Sequence, residues 1–435
     1  MISKLKTHIP REVSNYLIKY DFSNWKLEKK NKLYSTIIVI PALDEFTPLK
    51  DLLNSLEQND NNYLNMILII VVINNLKSHS DQIKRNNQET IDYLRDKYIS
   101  DSKSLLNLGI VDASSFGKEL PEKNGGVGFA RKLGMDFALM NFDYQSNDKN
   151  IIICLDADCL VKSNYLEEIS KKTSAGNSNC GFINFEHKAN SQSEEAAIIN
   201  YEIFLRYYVL GLKYANSPFA FHSIGSTMFC DVNSYIKVGG MNKRKAGEDF
   251  YFMQKLALIS KIDEIRTTKV YPSARPSWRV PFGTGQRVNR FLSNVQNEYL
   301  LYSPNSFEVL KIWLSILGDD INYSSNILMS NAKKIHKDLY DFLMINHFPE
   351  SWNKILQNSN SELQLNLQKK LWMNGFRTMK LIHFLKDNSF PQINMFFALN
   401  EMLHKMGVQH NLFSNEKIPP IDIQIKYLEL LRKLA

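Results

Sequence analysis

Cysteine, glycine, proline and long apolar runs are all scarce in this chain, and each scarcity excludes something. The four cysteines among 435 residues, Cys154, Cys159, Cys180 and Cys230, lie in or beside apolar runs. Neither a disulfide framework nor a zinc site is therefore expected, and a reducing compartment fits. Eighteen glycines and 13 prolines are too few for a collagen-like, disordered or low-complexity chain. No stretch reaches the roughly 18 apolar residues that cross a bilayer, and the opening MISKLKTHIPREVSNYLIKYDFSNW lacks the apolar run of a signal peptide. The chain reads as cytoplasmic. Charge of one sign is not dominant either: 53 Lys and Arg against 45 Asp and Glu leave +8. That balance gives no ground for a nucleic-acid partner, but it suits a nucleotide, a phosphorylated acceptor or peripheral contact with the inner face of a membrane.

What is present is the composition of a folded protein, 44% hydrophobic and 23% charged, long enough for two or three units at about 150 residues each. Between Thr36 and Asp158, short β-branched runs alternate with stretches of helical period, which predicts a parallel sheet with crossover helices. The strands expected are Thr36–Ile40, Ile67–Ile73, Leu108–Asp112 and Ile151–Leu155, apolar nearly throughout. Leu49, Leu52, Leu53 and Leu56, and again Phe129, Leu133, Phe137 and Met140, recur at helical spacing. Further on, GFINF and STMFCD read as strands around an aromatic helical stretch from Ser193 to Tyr214, taken as an acceptor-facing half. Beyond Ser303 the strands give way to amphipathic helices at Phe307–Leu317, Asn331–Ile345, Glu362–Asn374 and Phe376–Leu385. The organisation expected is an N-terminal helical extension over 1–30, an α/β domain over 31–302 and a helical C-terminal domain over 303–435.

The chemistry concentrates at strand ends. Asp156-Ala157-Asp158 follows the apolar run IIICL and precedes an expected helix over Asn164–Lys171. Two carboxylates at i and i+2 leaving a buried strand can share one hard divalent cation with a nucleotide; as an isolated pair they read equally as loop acids, one capping the next helix. Pro41-Ala42-Leu43-Asp44-Glu45 closes the first strand at the carboxyl edge, where ligands of parallel sheets bind. Gly125-Gly126-Val127-Gly128-Phe129-Ala130-Arg131 opens a helix. Glycines there let a backbone approach a phosphate, and Arg131 on the first turn can meet the same anion. Gly239-Gly240-Met241 comes next, then the basic run Lys243, Arg244 and Lys245. Gly247-Glu248-Asp249 supplies a second acid pair, fit for a base.

In this order the pieces resemble the family 2 glycosyltransferases of the GT-A fold, with their P-x-x-(N/D)-E, glycine-turn-Arg, D-x-D, G-G-(F/M) and E-D series. The resemblance covers Thr36 to about Phe252, roughly half the chain. It implies a mixed sheet with helices on both faces that binds a nucleoside diphosphate sugar. Asp156 would touch ribose or sugar, and Asp158, with Asp156, would hold Mn²⁺ or Mg²⁺. Pro41, Ala42, Asp44, Glu45, Asn74, Gly126, Gly128, Arg131 and Ala157 would line the donor. Asp249 would deprotonate an acceptor hydroxyl with Glu248 beside it, and the sugar would transfer with inversion. The acceptor would be a saccharide, a lipid-linked sugar or another hydroxyl compound. Two departures stand out. Asn74-Asn75 replaces the acid many relatives carry after the second strand, and the Q-x-x-R-W segment of processive relatives is missing, QRVNRF at Gln286–Phe291 being a loose echo.

Arg275, Arg279 and Arg287 lie in a Pro- and Gly-rich stretch read as a loop, either a lid gripping phosphate or a solvated basic surface. His222 reads as a core or acceptor-site histidine rather than a metal ligand. Phe204, Tyr207 and Tyr208 at helical spacing read as core. The competing functions are a catalytically inactive nucleotide-sugar binder or scaffold, a sugar nucleotidylyltransferase, whose glycine-rich loop would stand where PALDE is, and a dinucleotide-binding dehydrogenase using Gly126-Val127-Gly128, whose sixth position would be Arg131.

Overall fold

The computed structural model describes residues 9–101, 103–174, 178–189, 191–276, 283–318, 323–412 and 416–435. The chain forms two compact units. The first takes the chain as far as Lys188 and again Ser223–Ala274; the second takes Ala189–His222, Arg275 and Thr284–Ala435.

The first unit is built on a nine-stranded sheet: β1 (Leu27–Lys29), β2 (Thr36–Ala42), β3 (Ile67–Asn74), β4 (Leu108–Ala113), β5 (Ile151–Cys154), β6 (Leu160–Val161), β7 (Cys180–Phe185), β8 (Met228–Asp231) and β9 (Asp263–Tyr271). Their spatial order is β1-β4-β3-β2-β5-β8-β7-β9-β6. β4, β3, β2 and β5 run parallel, whereas β8 is antiparallel to both its neighbours, and β1 and β6 close the edges antiparallel. β2, β3, β4 and β5 are the four strands the β-branched runs predict, each apolar because helices cover both faces. Ile38, Ile40, Ile69, Val71 and Ile153 share a core with Leu49, Leu52, Leu53 and Leu56 of the helix Phe46–Glu57. The residues between them face the other way: Gly134 of the helix Val127–Leu139 lies so close to Val39 and Val72 that a Cβ there would sit 2.5 and 2.9 Å from their methyls.

The expected N-terminal extension is woven into this unit. Leu27–Lys29 pairs with β4, and the helix Arg11–Leu17 buries Val13, Tyr16 and Leu17. Tyr16 sets its hydroxyl against the bare α-carbon of Gly240.

The second unit is helical, as expected of the C-terminal region, but it recruits the aromatic helix Gln192–Tyr214. Ile203, Tyr207 and Leu210 share one core with Phe307, Leu310 and Trp313, and the Tyr207 hydroxyl donates to the Tyr302 carbonyl at 2.6 Å. The chain therefore divides near residue 189 as well as beyond 283, because apolar surface on that helix is buried by helices more than 90 positions later. The single helix expected over Asn331–Ile345 is two, Ser325–Ile335 and Lys337–Ile345. His336 between them is extended (φ −164°) and its Nδ1 accepts the Asp338 amide at 3.1 Å, capping the second. Among the described residues no helix is long and apolar enough to cross a membrane.

Candidate active site

The chain places β3 and β4 on one side of β2 and then crosses to put β5 on the other. Connections diverge at that point, and ligands of such sheets bind outside the carboxyl ends of the strands there. Pro41–Glu45 leaves β2 there and Asp156–Asp158 leaves β5, brought alongside by the pairing of Val39 with Cys154 and by the Leu155 amide on the Val39 carbonyl at 3.1 Å.

The turn after β2 is fixed by side chains that periodicity does not single out. Asp44 adopts a left-handed conformation (φ 57°), a region Asp tolerates better than most residues. Its amide donates to Asn87 Oδ1 at 3.0 Å, and Asn87 Nδ2 donates to the Asn74 carbonyl at 3.1 Å and to Asn75 Oδ1 at 2.9 Å. One buried amide thus ties the exits of β2 and β3 together. At the end of β4, Asp112 accepts the amides of Ser114 and Ser115 and pairs with Lys118 at 2.8 Å. Asn87 and Asp112 are site-shaping residues missing from the motif series. Their signals were present: an Asn on the apolar face of Asp81–Leu94, and an acid closing the apolar run of β4.

Arg131 is the centre of the site. Only 3% exposed, it ion-pairs through Nη1 with Glu248 and through Nη2 with Asp156, joining three motifs separated by up to 117 positions. Glu248 is closed in with it, whereas the Asp156 side chain keeps 34% of its surface open. Asp249 stands in the same field. Burial raises its proton affinity above that of an ordinary carboxylic acid, the Arg131 charge and the backbone amides of Phe250 and Gly225 oppose that rise, and the negative Asp156 adds to it. The helix Glu248–Ile259 that carries the pair starts from Gly247, left-handed at φ 69°.

The glycines before the Arg131 helix serve packing of chain on chain. A Cβ on Gly128 would meet the Arg244 carbonyl, would lie 2.9 Å from Glu248 Cβ and 3.0 Å from the Asn242 carbonyl, and one on Gly126 would lie 3.1 Å from Lys245 Cα. Residues 242–248 thus cover the helix start, and the anions Arg131 meets are Asp156 and Glu248 rather than an open phosphate site. Arg287 is likewise occupied, paired with Glu298 at 2.9 Å and stacked on Phe204 within a helix, Thr284–Leu292, where a loop was expected. Arg275 is half-buried and His222 buried, both in the helical unit; Arg279 lies outside the described residues.

Among the described residues no cluster of three or more His, Cys, Asp or Glu side chains is arranged to hold a metal. Asp158 and the open face of Asp156 still fit Mg²⁺ or Mn²⁺, which commonly takes one or two carboxylates and completes its shell with water and substrate phosphate.

The class these features define is an α/β protein with acids gathered around one buried arginine at the switch point of a mixed sheet. No protein-family model matches the chain, and no curated protein matches it. Among solved structures it is similar to S. aureus TarS 1-349 in complex with UDP-GlcNAc, at 14% identity over 87% of this chain and 93% of that one with a TM-score of 0.38. It is similar also to the mannosyltransferase PcManGT from Pyrobaculum calidifontis in complex with GDP-Man and Mn²⁺, at 12% identity over 86% and 92% with a TM-score of 0.36. Likeness at this level assigns no role to any residue of this chain.

Proposed function

We propose that the protein is a metal-dependent glycosyltransferase that moves a sugar from a nucleoside diphosphate sugar to an acceptor hydroxyl, with inversion, as family 2 enzymes of the GT-A fold do. The observation that carries this reading is the meeting of Asp156 and Glu248, the neighbour of Asp249, around Arg131 at the switch point of the sheet. The donor lies along the carboxyl ends of β2, β3 and β5, with Pro41, Ala42, Asp44, Glu45 and Asn74 around the nucleoside. The Asn74 amide can donate and accept, so it can read a base without the acid many relatives use. Asp156 and Ala157 border the ribose or sugar, and Asp158 faces the diphosphate. Gly126, Gly128 and Arg131 brace these groups from behind.

Asp249 takes the proton of the acceptor hydroxyl as its oxygen attacks the anomeric carbon and the bond to the diphosphate breaks. Its raised proton affinity suits that transfer, and the Arg131 charge opposes the rise that burial imposes. Glu248, already closed on Arg131, holds the cation in place and takes no proton. A divalent cation on Asp158 and Asp156 would supply charge neutralisation on the departing diphosphate. A dinucleotide-binding reading is disfavoured by the covered Gly126 and Gly128, which leave no bare backbone for a pyrophosphate.

The test is a thermal-shift panel of UDP-, GDP-, dTDP- and CMP-sugars with and without Mn²⁺, since a ligand of the folded state raises its melting point. A metal-dependent shift with one nucleotide, lost in Asp158→Ala, is expected. Asp249→Asn should keep the shift and lower transfer by about 10²–10⁴-fold, the usual contribution of a general base. Undiminished transfer in Asp249→Asn removes the assigned base, and no shift with any sugar nucleotide leaves a scaffold as the better reading.

A further inference from the structure

We infer that Gly225 is a positioning residue for the proposed transfer: its bare α-carbon seats the Arg131 guanidinium, the cation on which Asp156 and Glu248, the neighbour of Asp249, meet. The inference rests on the reading of Asp249 as base. Gly225 lies in the turn before β8, the strand beside β5. The turn is pinned by the Thr227 amide and hydroxyl, which both donate to the Ile224 carbonyl at 3.0 Å. A Cβ built on Gly225 would stand 2.6 Å from Arg131 Nη1 and 2.7 Å from Cζ, and nearer still to Nη2. Real Cβ atoms do not approach that closely. Because φ of Gly225 is outside the left-handed region, the missing side chain, and not a backbone angle, selects glycine here. The turn thus holds the cation that binds the two motif acids, Asp156 and Glu248.

Arg131 cannot step aside. It is enclosed, and its two terminal nitrogens are committed to Glu248 and Asp156. A methyl at 225 would rotate the planar fork out of one carboxylate or the other, because each acid holds only one of its terminal nitrogens. A lysine at 131 has no fork for the methyl to strike. The two positions should therefore be coupled, as residues in contact are.

The experiment is a double-mutant cycle of Gly225→Ala and Arg131→Lys, read as kcat per folded enzyme, donor KM and melting temperature. Alone, Gly225→Ala should lower kcat roughly 100-fold with donor KM within about threefold, an effect on the scale of a displaced catalytic group. In the Arg131→Lys protein the same substitution should lower kcat by less than about threefold. Equal losses in both backgrounds overturn the inference, as does a failure to fold that Arg131→Lys does not rescue. If even the unaltered protein transfers no sugar, the functional reading fails. The contact is then judged by melting temperature, which the methyl should lower with Arg131 in place and not in the Arg131→Lys protein.

Discussion

Two neighbouring residues on one helix, Arg131 and Lys132, are both 3% exposed, and they are neutralised in opposite ways. Lys132 meets a local acid, Asp136 one turn on, at 3.0 Å. Tyr16 and Tyr235 donate to that carboxylate at 2.9 and 2.8 Å, Lys132 donates to the Tyr16 hydroxyl at 2.7 Å and lies 3.8 Å from the Tyr20 ring centroid, and Asp136 is 1% exposed. Arg131 meets acids from distant motifs, and one of them keeps a third of its surface open. A buried charge that is closed on all sides holds a fold together. A buried charge with one partner left open is placed to orient a group that a ligand can reach.

The sharpest way to break this contrast is to remove the closed cation. Lys132→Met leaves the Asp136 carboxylate buried with only phenol donors and should destabilise the protein by about 3–5 kcal/mol, the usual cost of orphaning one half of a buried pair. Urea unfolding measures it. If the contrast is right, whatever protein remains folded binds the donor with unchanged affinity, and a large loss of affinity would place Lys132 in the site. A smaller effect comes from Tyr235→Phe. It removes one of two phenol donors to Asp136 while Tyr16 and Lys132 remain, so about 1 kcal/mol is expected. Loss of several kcal/mol there would show that the Tyr235 bond anchors the Gly240 turn and is not simply one donor of three.

Much of this arrangement was legible in the residues themselves. β2 to β5 declare themselves by β-branched runs that a doubly covered strand requires, PALDE and Asp156–Asp158 do lie where such strands end, and Glu248–Asp249 lies where a helix begins. What the chain order did not disclose is what joins them. Arg131 read as a phosphate ligand because a glycine-rich helix start favours anions; that those anions are Asp156 and Glu248 follows from tertiary contacts over 25 and 117 positions, which no local pattern encodes. The glycines misled for the same reason. A missing side chain permits close approach but does not say whether a ligand or another segment approaches. Likewise the helical period of Phe204, Tyr207 and Tyr208 marked an apolar face without saying that Phe307 would pack on it.

The smallest effect concerns Asp112, whose pair with Lys118 stands between the two extremes, the acid 11% exposed and the cation 47%. Burial pushes the Asp112 carboxyl up, but the Lys118 ammonium and the amides of Ser115 and Ser114 outweigh it and hold the acid below its ordinary range. A depressed carboxyl contributes stability that is fully present above its unfolded value of about 3.9 and is lost as pH falls through the lower folded value. Because Lys118 is half-exposed and screened, that contribution is about 0.5–1 kcal/mol. Asp112→Asn should therefore lie about that far below the unaltered protein near pH 6, with a gap that closes as the pH is taken below 4. The absence of a gap across that range would mean that the Ser114 and Ser115 amides, which an asparagine oxygen can still accept, carry the turn alone. The Lys118 charge would then contribute nothing. A gap that widens toward acid would reverse the sign of the linkage and place Asp112 with the closed, burial-dominated acids instead of the open ones.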